Sequence, residues 1–498
     1  MPNARRMLHV PPQPTTPEPV AAPAAAHDEA QPAALLAFMV TGWAPRDVAA
    51  RPIDALERFA ARRARLSAAF PGELLVVPSG HEVTRSNDTT YRFRPGTDFY
   101  YLTGNVEPDC VLVLAPAASG HDAVLYVEPN PGKTDATFFT DRGKGELWVG
   151  PRLGVAESAV RFGCATRPLT DLSADLECAR ADARGLRALR KIDPDLDARL
   201  PTCDAASAAD ADADADRAFA AALSEMRLIK DDYEVAQLER AIAATKAGFE
   251  DVLRGLPTAA TERYVEGIFN MRARIDGNDV GYGTIAASGR HACTLHWTSN
   301  DGDLRPDDLL LLDAGVEAHT LYTADVTRTV PMSGRFSREQ RDIYEIVYAA
   351  QEAAFAKCAP GEAFLAPNIA AMDVLAHGLE RLGILTMSAG EALLATNQFY
   401  KRYSLHNVSH MLGLDVHDCA KARAENYKYG TLEEGMVLTV EPGLYLQPDD
   451  LTVPERYRGI GVRIEDDIVI TRTGFRNLSH ALPRHPDAVE AWVTEHRG

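Results

Sequence analysis

The residues that could do chemistry are concentrated in the C-terminal part of the 498-residue chain, from His296 onward. Four carboxylates there lie in or at the end of strongly apolar runs: Asp313, Asp325, Glu441 and Glu465. An ionised carboxylate in such a run must be paired or bound to a cation, because its desolvation is costly. A single aspartate at a strand end is usually a turn residue, so these carboxylates are informative as a set.

Histidines cluster in the same part of the chain. The stretch LHNVSHMLGLDVHD contains His406, His410 and His417 within twelve residues. Each alone would be interpreted as a surface histidine. However, a neutral imidazole is the commonest transition-metal ligand in proteins. The cluster therefore offers one imidazole for a metal and others for proton transfer.

A strand near the end of the chain, GIGVRIEDDIVIT, adds an arginine beside a carboxylate. Alternation along a strand puts Arg463 and Glu465 on one face and Val462, Ile464 and Asp466 on the other. Because the strand is apolar, a free carboxylate at Glu465 would be costly. The alternative is a salt bridge between Arg463 and Glu465 on an exposed face.

Together these motifs supply four carboxylates and at least one histidine. Oxygen donors with one nitrogen donor suit Mn²⁺, Co²⁺, Fe²⁺ or Zn²⁺ in higher than tetrahedral coordination. Four negative charges are excessive around one divalent ion, whereas two such ions balance them. The set therefore predicts a two-metal site, whose usual work is to bind and deprotonate a bridging water for hydrolysis.

Two folded regions must position these residues. Residues 1–33 are rich in Pro and Ala and predict a disordered tail. In residues 34–204, helical stretches alternate with short β-branched runs such as ELLVVPSG and CVLVLAP, which predicts a mixed α/β domain. Residues 205–216, AASAADADADAD, have no apolar face and predict a solvated linker.

The region from 217 to 498 contains the candidate site. Strand-like runs surround two helical segments near 337–357 and 368–382. Strands with hairpin-like spacing grouped around helices predict an α+β domain with a curved, largely antiparallel sheet.

Composition limits the possible functions. Hydrophobic residues make up 46% of the chain and charged residues 25%, as in ordinary globular proteins. The net charge of −19 disfavours nucleic-acid binding, because no basic patch offsets it. The chain has neither an apolar run long enough for a membrane helix nor a signal-peptide core. Seven scattered cysteines without a CxxC motif suit a reducing compartment, so we expect a cytoplasmic protein that does not bind membranes.

At these motifs the sequence resembles the pita-bread metallopeptidases, and among them the aminopeptidase P and prolidase (Xaa-Pro peptidase) branch. The similar stretches are LHWTSN, LLDAGVE, TADVTRTVP, HNVSHMLGLDVHD, GMVLTVEPGLY and YRGIGVRIEDDIVI. In the N-terminal half, YRFRPGTDFYYLTGNVEPDCVLVL and GELWVGPRLG resemble the amino-terminal domain of aminopeptidase P. The resemblance implies a C-terminal pita-bread domain that follows an N-terminal α/β domain.

The resemblance also implies a metal site. Five positions match the family's metal ligands: Asp313, Asp325, His410, Glu441 and Glu465. Asp325 and Glu465 would bridge two divalent ions, for which we expect Mn²⁺, with Co²⁺, Zn²⁺ or Fe²⁺ as alternatives. Asp313 and Asp325 are twelve residues apart, one more than is usual in the family. A hairpin turn or bulge can absorb that residue.

Further positions match residues that act on the substrate in the family. His296, His406 and His417 match histidines that hold the substrate and stabilise the tetrahedral intermediate. Arg463 matches the arginine beside the last ligand. Glu441 would also shuttle the proton from the bridging water.

The implied function is that of a Xaa-Pro aminopeptidase, which removes the residue before a proline at the second position of a peptide. The alternative is prolidase, which cleaves the Xaa-Pro dipeptide and needs a cation for its carboxylate. Lys421, Arg423 and Lys428 are candidates for that cation, unless they are surface charges. A non-catalytic binding protein and a methionine aminopeptidase fit the motifs less well. The family also predicts a homodimer or homotetramer.

Overall fold

The computed structural model describes residues 31–44, 50–200 and 206–497. It contains an N-terminal mixed α/β region followed by a C-terminal α+β region, so the predicted fold class is confirmed. Residues 1–30 of the predicted tail lie outside the described ranges, and the first helix already begins at Ala33. None of the helices in the described ranges is both long enough and apolar enough to cross a bilayer.

A five-stranded mixed sheet forms the centre of the N-terminal region. The strands of this region are β1 (Leu74–Pro78), β2 (Thr84–Ser86), β3 (Thr89–Thr90), β4 (Val111–Pro116), β5 (His121–Val127), β6 (Ala165–Pro168) and β7 (Leu186–Ala188). Of these, β2 and β3 pair only with each other, outside the five-stranded sheet. The sheet order is β6-β5-β4-β1-β7, with parallel pairing at both edges and antiparallel pairing between. Every residue of β1 is buried, because β1 packs against apolar side chains on both faces of the sheet.

The described part of the N-terminal region also contains α-helices, several of which pack against this sheet. They are α1 (Ala33–Met39), α2 (Leu56–Ala69), α3 (Thr97–Thr103), α4 (Thr137–Thr140), α5 (Glu146–Val149), α6 (Val155–Phe162), α7 (Leu172–Asp182) and α8 (Pro194–Arg199). Helix α3 follows the sequence YRFRPG and is almost completely buried.

The Ala/Asp segment is not the solvated linker that its composition predicts. Helix α9 extends over Ala206–Met226 and includes this segment from its second residue onward. Alanine has the highest helix propensity, and the second half of α9 buries Phe219 and Leu223, which anchors the helix. The carboxylate of Asp216 also accepts hydrogen bonds from the N–H of Ala188 and from Nε of Arg190. A helix needs no apolar face along its whole length when one end is anchored.

Long helices surround short antiparallel sheets in the C-terminal region. The helices after α9 are α10 (Asp232–Gly255), α11 (Glu262–Asp276), α12 (Arg338–Phe355), α13 (Ala366–Arg381), α14 (Ala389–Leu393) and α15 (Pro486–Arg497). The strands are β8 (Asp279–Val280), β9 (Ile285–Ser288), β10 (Leu309–Ala314), β11 (Val316–Glu317), β12 (Val326–Pro331), β13 (Val437–Val440), β14 (Gly443–Tyr445), β15 (Gly461–Arg463), β16 (Asp466–Thr471) and β17 (Gly474–Asn477). Helices α12 and α13 confirm the two predicted helical segments.

Antiparallel pairing in this region brings motifs from distant segments of the chain side by side. One sheet has the order β12-β10-β9 and another β13-β16-β17, while β14 pairs with β15 and β8 with β11. All these pairings are antiparallel, as the sequence predicts. The strand ends of β10, β13 and β15 point their polar residues to one place, which is the candidate site.

A buried arginine ties these sheets to the C-terminal segment. The guanidinium of Arg328, on β12, has no solvent exposure and lies 2.8 Å from Oδ1 of Asp466, which is equally buried. It also donates hydrogen bonds to the carbonyl oxygens of Leu482 and Pro483. Removing one partner of a buried ion pair leaves the other charge uncompensated.

We therefore expect Arg328→Met to lower the free energy of unfolding by about 3–5 kcal/mol, because Asp466 would stay buried without its cation. The measurement is urea unfolding followed by circular dichroism. Arg476→Ala is the control, since its pair with Glu239 is exposed and should contribute at most about 1 kcal/mol. Equal effects of the two substitutions would contradict this interpretation of the buried pair.

Candidate metal centre

The hairpin of β10 and β12 brings the two aspartates together. Asp313, near the end of β10, pairs with Thr327, and Asp325 directly precedes β12. The hydroxyl of Tyr282 lies 2.6 Å from Oδ1 of Asp313 and 2.5 Å from Oδ1 of Asp325. The chain turns between the two aspartates, where Leu321 has a left-handed φ of 62°. Both carboxylates therefore face the same point.

Backbone hydrogen bonds between strands hold the two glutamates. Glu441 follows β13, and its N–H donates to the carbonyl oxygen of Val408, 2.8 Å away. Glu465 lies between β15 and β16 and is 1% exposed. Its N–H donates to the carbonyl oxygen of Thr327 at 3.1 Å, and its Oε2 accepts from Oγ1 of the same threonine at 2.6 Å. Thr327 thus fixes both the backbone and the side chain of Glu465.

All the residues predicted for the site line one cavity of about 570 Å³. They are His296, Asp313, Asp325, His406, His410, His417, Glu441, Arg463 and Glu465. Nε2 of His410 lies 3.3 Å from Oδ2 of Asp325 and 3.5 Å from Oε1 of Glu441. Ligand atoms of Asp325, His410 and Glu465 lie within 4.8 Å of one another, close enough to hold a metal ion. The geometry thus assembles the complete predicted set.

Arg463 pairs with a different carboxylate from the one that strand alternation suggested. Its Nη2 donates to Oδ2 of Asp313, its Nε to Oγ1 of Thr327, and its Nη1 to the hydroxyl of Tyr445 at 2.9 Å. Arg463 and Glu465 are both buried, so the alternative of an exposed salt bridge between them is wrong. Arg463 instead connects one of the aspartates to the histidine side of the cavity.

Two tyrosines of the site escaped the sequence analysis. Tyr282 contacts both aspartates, and the hydroxyl of Tyr445 lies 2.7 Å from Nε2 of His406. A tyrosine in a strand or turn is usually a core residue, so its sequence context gave no reason to select it. The pairing of β14 with β15 places Tyr445 near Arg463, and the sequence does not specify that register.

The charges of the site repel one another in the absence of cations. Burial raises the pKa of Glu441 to about 8. Burial also raises the pKa of Glu465 well above its usual range, and the nearby charge of Asp325 adds to the effect. Burial alone would lower the pKa of His410, but the hydrogen bond to Asp325 and the charge of Glu441 raise it to about 9. Carboxylates whose ionisation is this costly fit divalent cations, which would relieve the repulsion.

The pKa values of His406 and His417 shift in the opposite direction from that of His410. Burial and, to a smaller extent, the charge of Arg463 lower the pKa of His406 to about 4. Burial and the charge of His410 lower the pKa of His417, whose ring lies 4.4 Å from that of His410. Both are therefore neutral imidazoles near pH 7, while His296 is exposed at the rim.

Comparison with known proteins identifies the class of this site. The model of metallopeptidase family M24 matches residues 236–472, and that of the aminopeptidase P N-terminal domain matches residues 59–185. The chain is 49% identical over 463 residues to Xaa-Pro aminopeptidase 1 of Streptomyces coelicolor, covering 92% of each. It therefore belongs to metallopeptidase family M24.

Relatives from Escherichia coli agree with this assignment. The chain is 36% identical over 454 residues to the Xaa-Pro aminopeptidase of E. coli, covering 88% of this chain and 97% of that one. The structure of E. coli aminopeptidase P with the inhibitor Pro-Leu matches with a TM-score of 0.77 and 32% identity, over 90% of this chain and 99% of that chain. The predicted resemblance to aminopeptidase P and the pita-bread fold are thus confirmed.

Metal binding should release protons. Near pH 7 the raised pKa values keep His410 and Glu441 protonated in the metal-free protein, and both must lose a proton to act as ligands. We therefore expect the affinity for Mn²⁺ to rise with pH between 6 and about 8. Calorimetry in two buffers of different ionisation enthalpy measures the released protons. An affinity that is constant over this range, with equal heats in both buffers, would contradict the expectation.

Proposed function

We propose that this protein is a Xaa-Pro aminopeptidase that uses two divalent metal ions to hydrolyse the bond between an N-terminal residue and a following proline. The observation that carries the proposal is the cavity in which three buried carboxylates and the half-buried Glu441 meet four histidines and a buried arginine. The 49% identity to an enzyme named for this activity supports the substrate class.

Five side chains would hold the ions: Asp313, Asp325, His410, Glu441 and Glu465. Asp325 and Glu465 would hold metal together with His410, because ligand atoms of these three side chains lie within 4.8 Å of one another. A donor set of carboxylate oxygens with one imidazole favours Mn²⁺, although Co²⁺, Zn²⁺ and Fe²⁺ also accept it. When bound, two such ions activate a water as a nucleophile and polarise the scissile carbonyl.

Glu441 is placed to move protons during the reaction. Burial raises the pKa of Glu441 to about 8, which favours a proton on its carboxylate. Its Oε2 lies 3.5 Å from Nδ1 of His406. The nitrogen of a Xaa-Pro bond belongs to a tertiary amide without an N–H, so it must be protonated as it leaves. Glu441 can receive the proton of the attacking water and pass it to this nitrogen.

A chain of hydrogen bonds fixes the histidine side of the cavity. Arg463 donates to the Tyr445 hydroxyl, which lies within hydrogen-bond distance of Nε2 of His406. Nδ1 of His406 lies 2.9 Å from the carbonyl oxygen of Asn407. These contacts hold the neutral ring in one orientation beside the carboxylates, where it can contact the substrate near the scissile bond. Apolar side chains of the lining, Ile285, Leu295 and Val416, offer a surface for the proline ring or its neighbour.

The structure favours an aminopeptidase over a prolidase. A prolidase needs a cation in the cavity to bind the dipeptide carboxylate. Lys421, Arg423 and Lys428 all lie outside the cavity lining, and Arg423 forms a salt bridge with Glu225 at 2.7 Å. Arg463 is inside the cavity but is already paired with Asp313. The predicted homodimer or homotetramer stays a prediction.

The direct test is cleavage of a Xaa-Pro dipeptide and a Xaa-Pro-Pro tripeptide by the Mn²⁺-loaded enzyme, with the products identified by mass spectrometry. We expect release of the N-terminal residue from the tripeptide with at least tenfold higher kcat/KM than from the dipeptide. Chelation should abolish the activity and Mn²⁺ should restore it, because the ions activate the water. Preference for the dipeptide would indicate a prolidase, and full activity in metal-stripped protein would refute the proposal.

The role of His406 gives a second test. On our account, His406→Ala lowers kcat by roughly 10²-fold while two ions stay bound, as for the loss of one transition-state hydrogen bond. Single-turnover rates and metal content are measured on the same sample. His377→Ala is the control, since this exposed histidine lies on α13, away from the cavity. A fall in kcat of less than tenfold, or one that follows metal loss, would remove His406 from the catalytic residues.

A further inference from the structure

Two loops of the C-terminal region carry much of the candidate site. The aspartate hairpin, residues 314–324, connects Asp313 to Asp325. The histidine loop, residues 411–416, connects His410 to His417. Neither loop has a long helix or strand of its own. A backbone hydrogen bond joins the two loops, from the N–H of Thr323 to the carbonyl oxygen of Gly413. The relative position of the two loops sets where His417 lies against the carboxylates.

A single side chain of the N-terminal region contacts both loops. Nε of Arg94 donates to Oε2 of Glu317, in the aspartate hairpin, at 2.6 Å. Nη2 of the same guanidinium donates to the carbonyl oxygen of Leu414, in the histidine loop, at 2.5 Å. Glu317 is 5% exposed, and Asn278 occupies its other oxygen at 2.7 Å. The bond from Arg94 to Glu317 is therefore charge-assisted, with a buried carboxylate and a guanidinium that is 32% exposed.

The beginning of helix α3 reinforces this contact. Nη1 of Arg94 donates to Oγ1 of Thr97 at 3.2 Å, and that hydroxyl donates to Oδ1 of Asp415 at 2.6 Å. The histidine loop is thus held at two successive residues, Leu414 and Asp415. Beyond the loop, Asp418 directly follows His417, and its carboxylate lies 3.0 Å from Nε of Arg227. Arg227 also binds Asp98 of α3.

We propose that Arg94 is a positioning residue for catalysis: it clamps the aspartate hairpin to the histidine loop and so fixes His417 against the metal-binding carboxylates. The proposal rests on the proposed function, since it concerns the same cavity. Arg94 itself does not line that cavity. It acts at a distance through Leu414, three residues before His417. Displacing a catalytic group by about 1 Å can lower a rate by about 10²-fold, so the clamp affects turnover without touching substrate.

The geometry of the guanidinium separates this role from simple charge neutralisation. A lysine at position 94 could pair with Glu317, but one ammonium cannot also reproduce the fork that binds Leu414 and Thr97. Arg94→Lys should therefore keep the buried Glu317 compensated and preserve stability, while it releases the histidine loop. Arg94→Ala removes both the charge that compensates Glu317 and the contacts that hold the histidine loop. Arg92→Ala is the matched control, because Arg92 lies two residues away and pairs with Asp279 on the surface at 3.4 Å.

The first experiment measures kcat, KM and metal content of the three variants in the full-length, Mn²⁺-loaded enzyme with the Xaa-Pro-Pro tripeptide. We expect Arg94→Lys to lower kcat at least tenfold, with two ions bound, an unchanged melting temperature and KM within about twofold of the wild type. Arg92→Ala should retain the wild-type kcat. Wild-type kcat in Arg94→Lys would overturn the proposal, even if Arg94→Ala fails to fold.

A double-mutant cycle with His417→Ala tests whether Arg94 acts through this histidine. If it does, Arg94→Lys should lower kcat less than twofold once His417 is absent. An equal fold-change in both backgrounds would show that Arg94 acts by another route and would overturn the proposal.

A measurement without substrate distinguishes failure of this proposal from failure of the proposed function. Hydrogen exchange followed by mass spectrometry should show faster exchange over residues 411–418 in Arg94→Lys than in Arg92→Ala. If the wild type cleaves no Xaa-Pro peptide, the proposed function fails while this difference still supports the clamp. Identical exchange in the two variants would overturn the clamp whatever the activity.

Discussion

The constraint on which this structure depends is the burial of several carboxylates at one point. Asp313, Asp325, Glu441 and Glu465 lie at strand ends, the first two and Glu465 buried and Glu441 half-buried, and each raises the cost of ionising its neighbours. Arg463 compensates one charge and His410 another. The remaining carboxylates must therefore either keep a proton or hold a cation, which links the fold to the chemistry.

Around this centre, the protein fixes its loops with buried polar contacts instead of long secondary structure. Between the two regions, Arg62 lies 3.3 Å from Glu234, which also accepts a hydrogen bond from the Tyr322 hydroxyl at 2.9 Å. Arg227 also binds Asp98 of α3 across this boundary, and both side chains are buried. Buried ion pairs contribute little net stability, but they are costly to misalign. We interpret them as devices that select one orientation of the N-terminal region over the catalytic one.

Much of the fold and site could be predicted from the sequence, because the determining features are local. Apolar strand runs that end in acidic residues identified the carboxylates, and the motif order identified the family. The helix over the Ala/Asp segment could not be predicted, because it depends on the burial of Phe219 and on the contact of Asp216 with Arg190. Tyr282 and Tyr445 were missed because their roles arise from strand register. The choice of Asp313 as the partner of Arg463 depends on tertiary packing in the same way.

Anomalous X-ray diffraction from crystals of the Mn²⁺-loaded protein tests the central claim most directly, since it locates each ion independently of activity. Our account predicts two manganese peaks at about 3.5–4 Å from each other, with Asp325 and Glu465 between them. It also predicts that both peaks weaken or vanish in crystals of Glu465→Ala. A single peak, or peaks away from these carboxylates in fully active protein, would contradict the two-metal site.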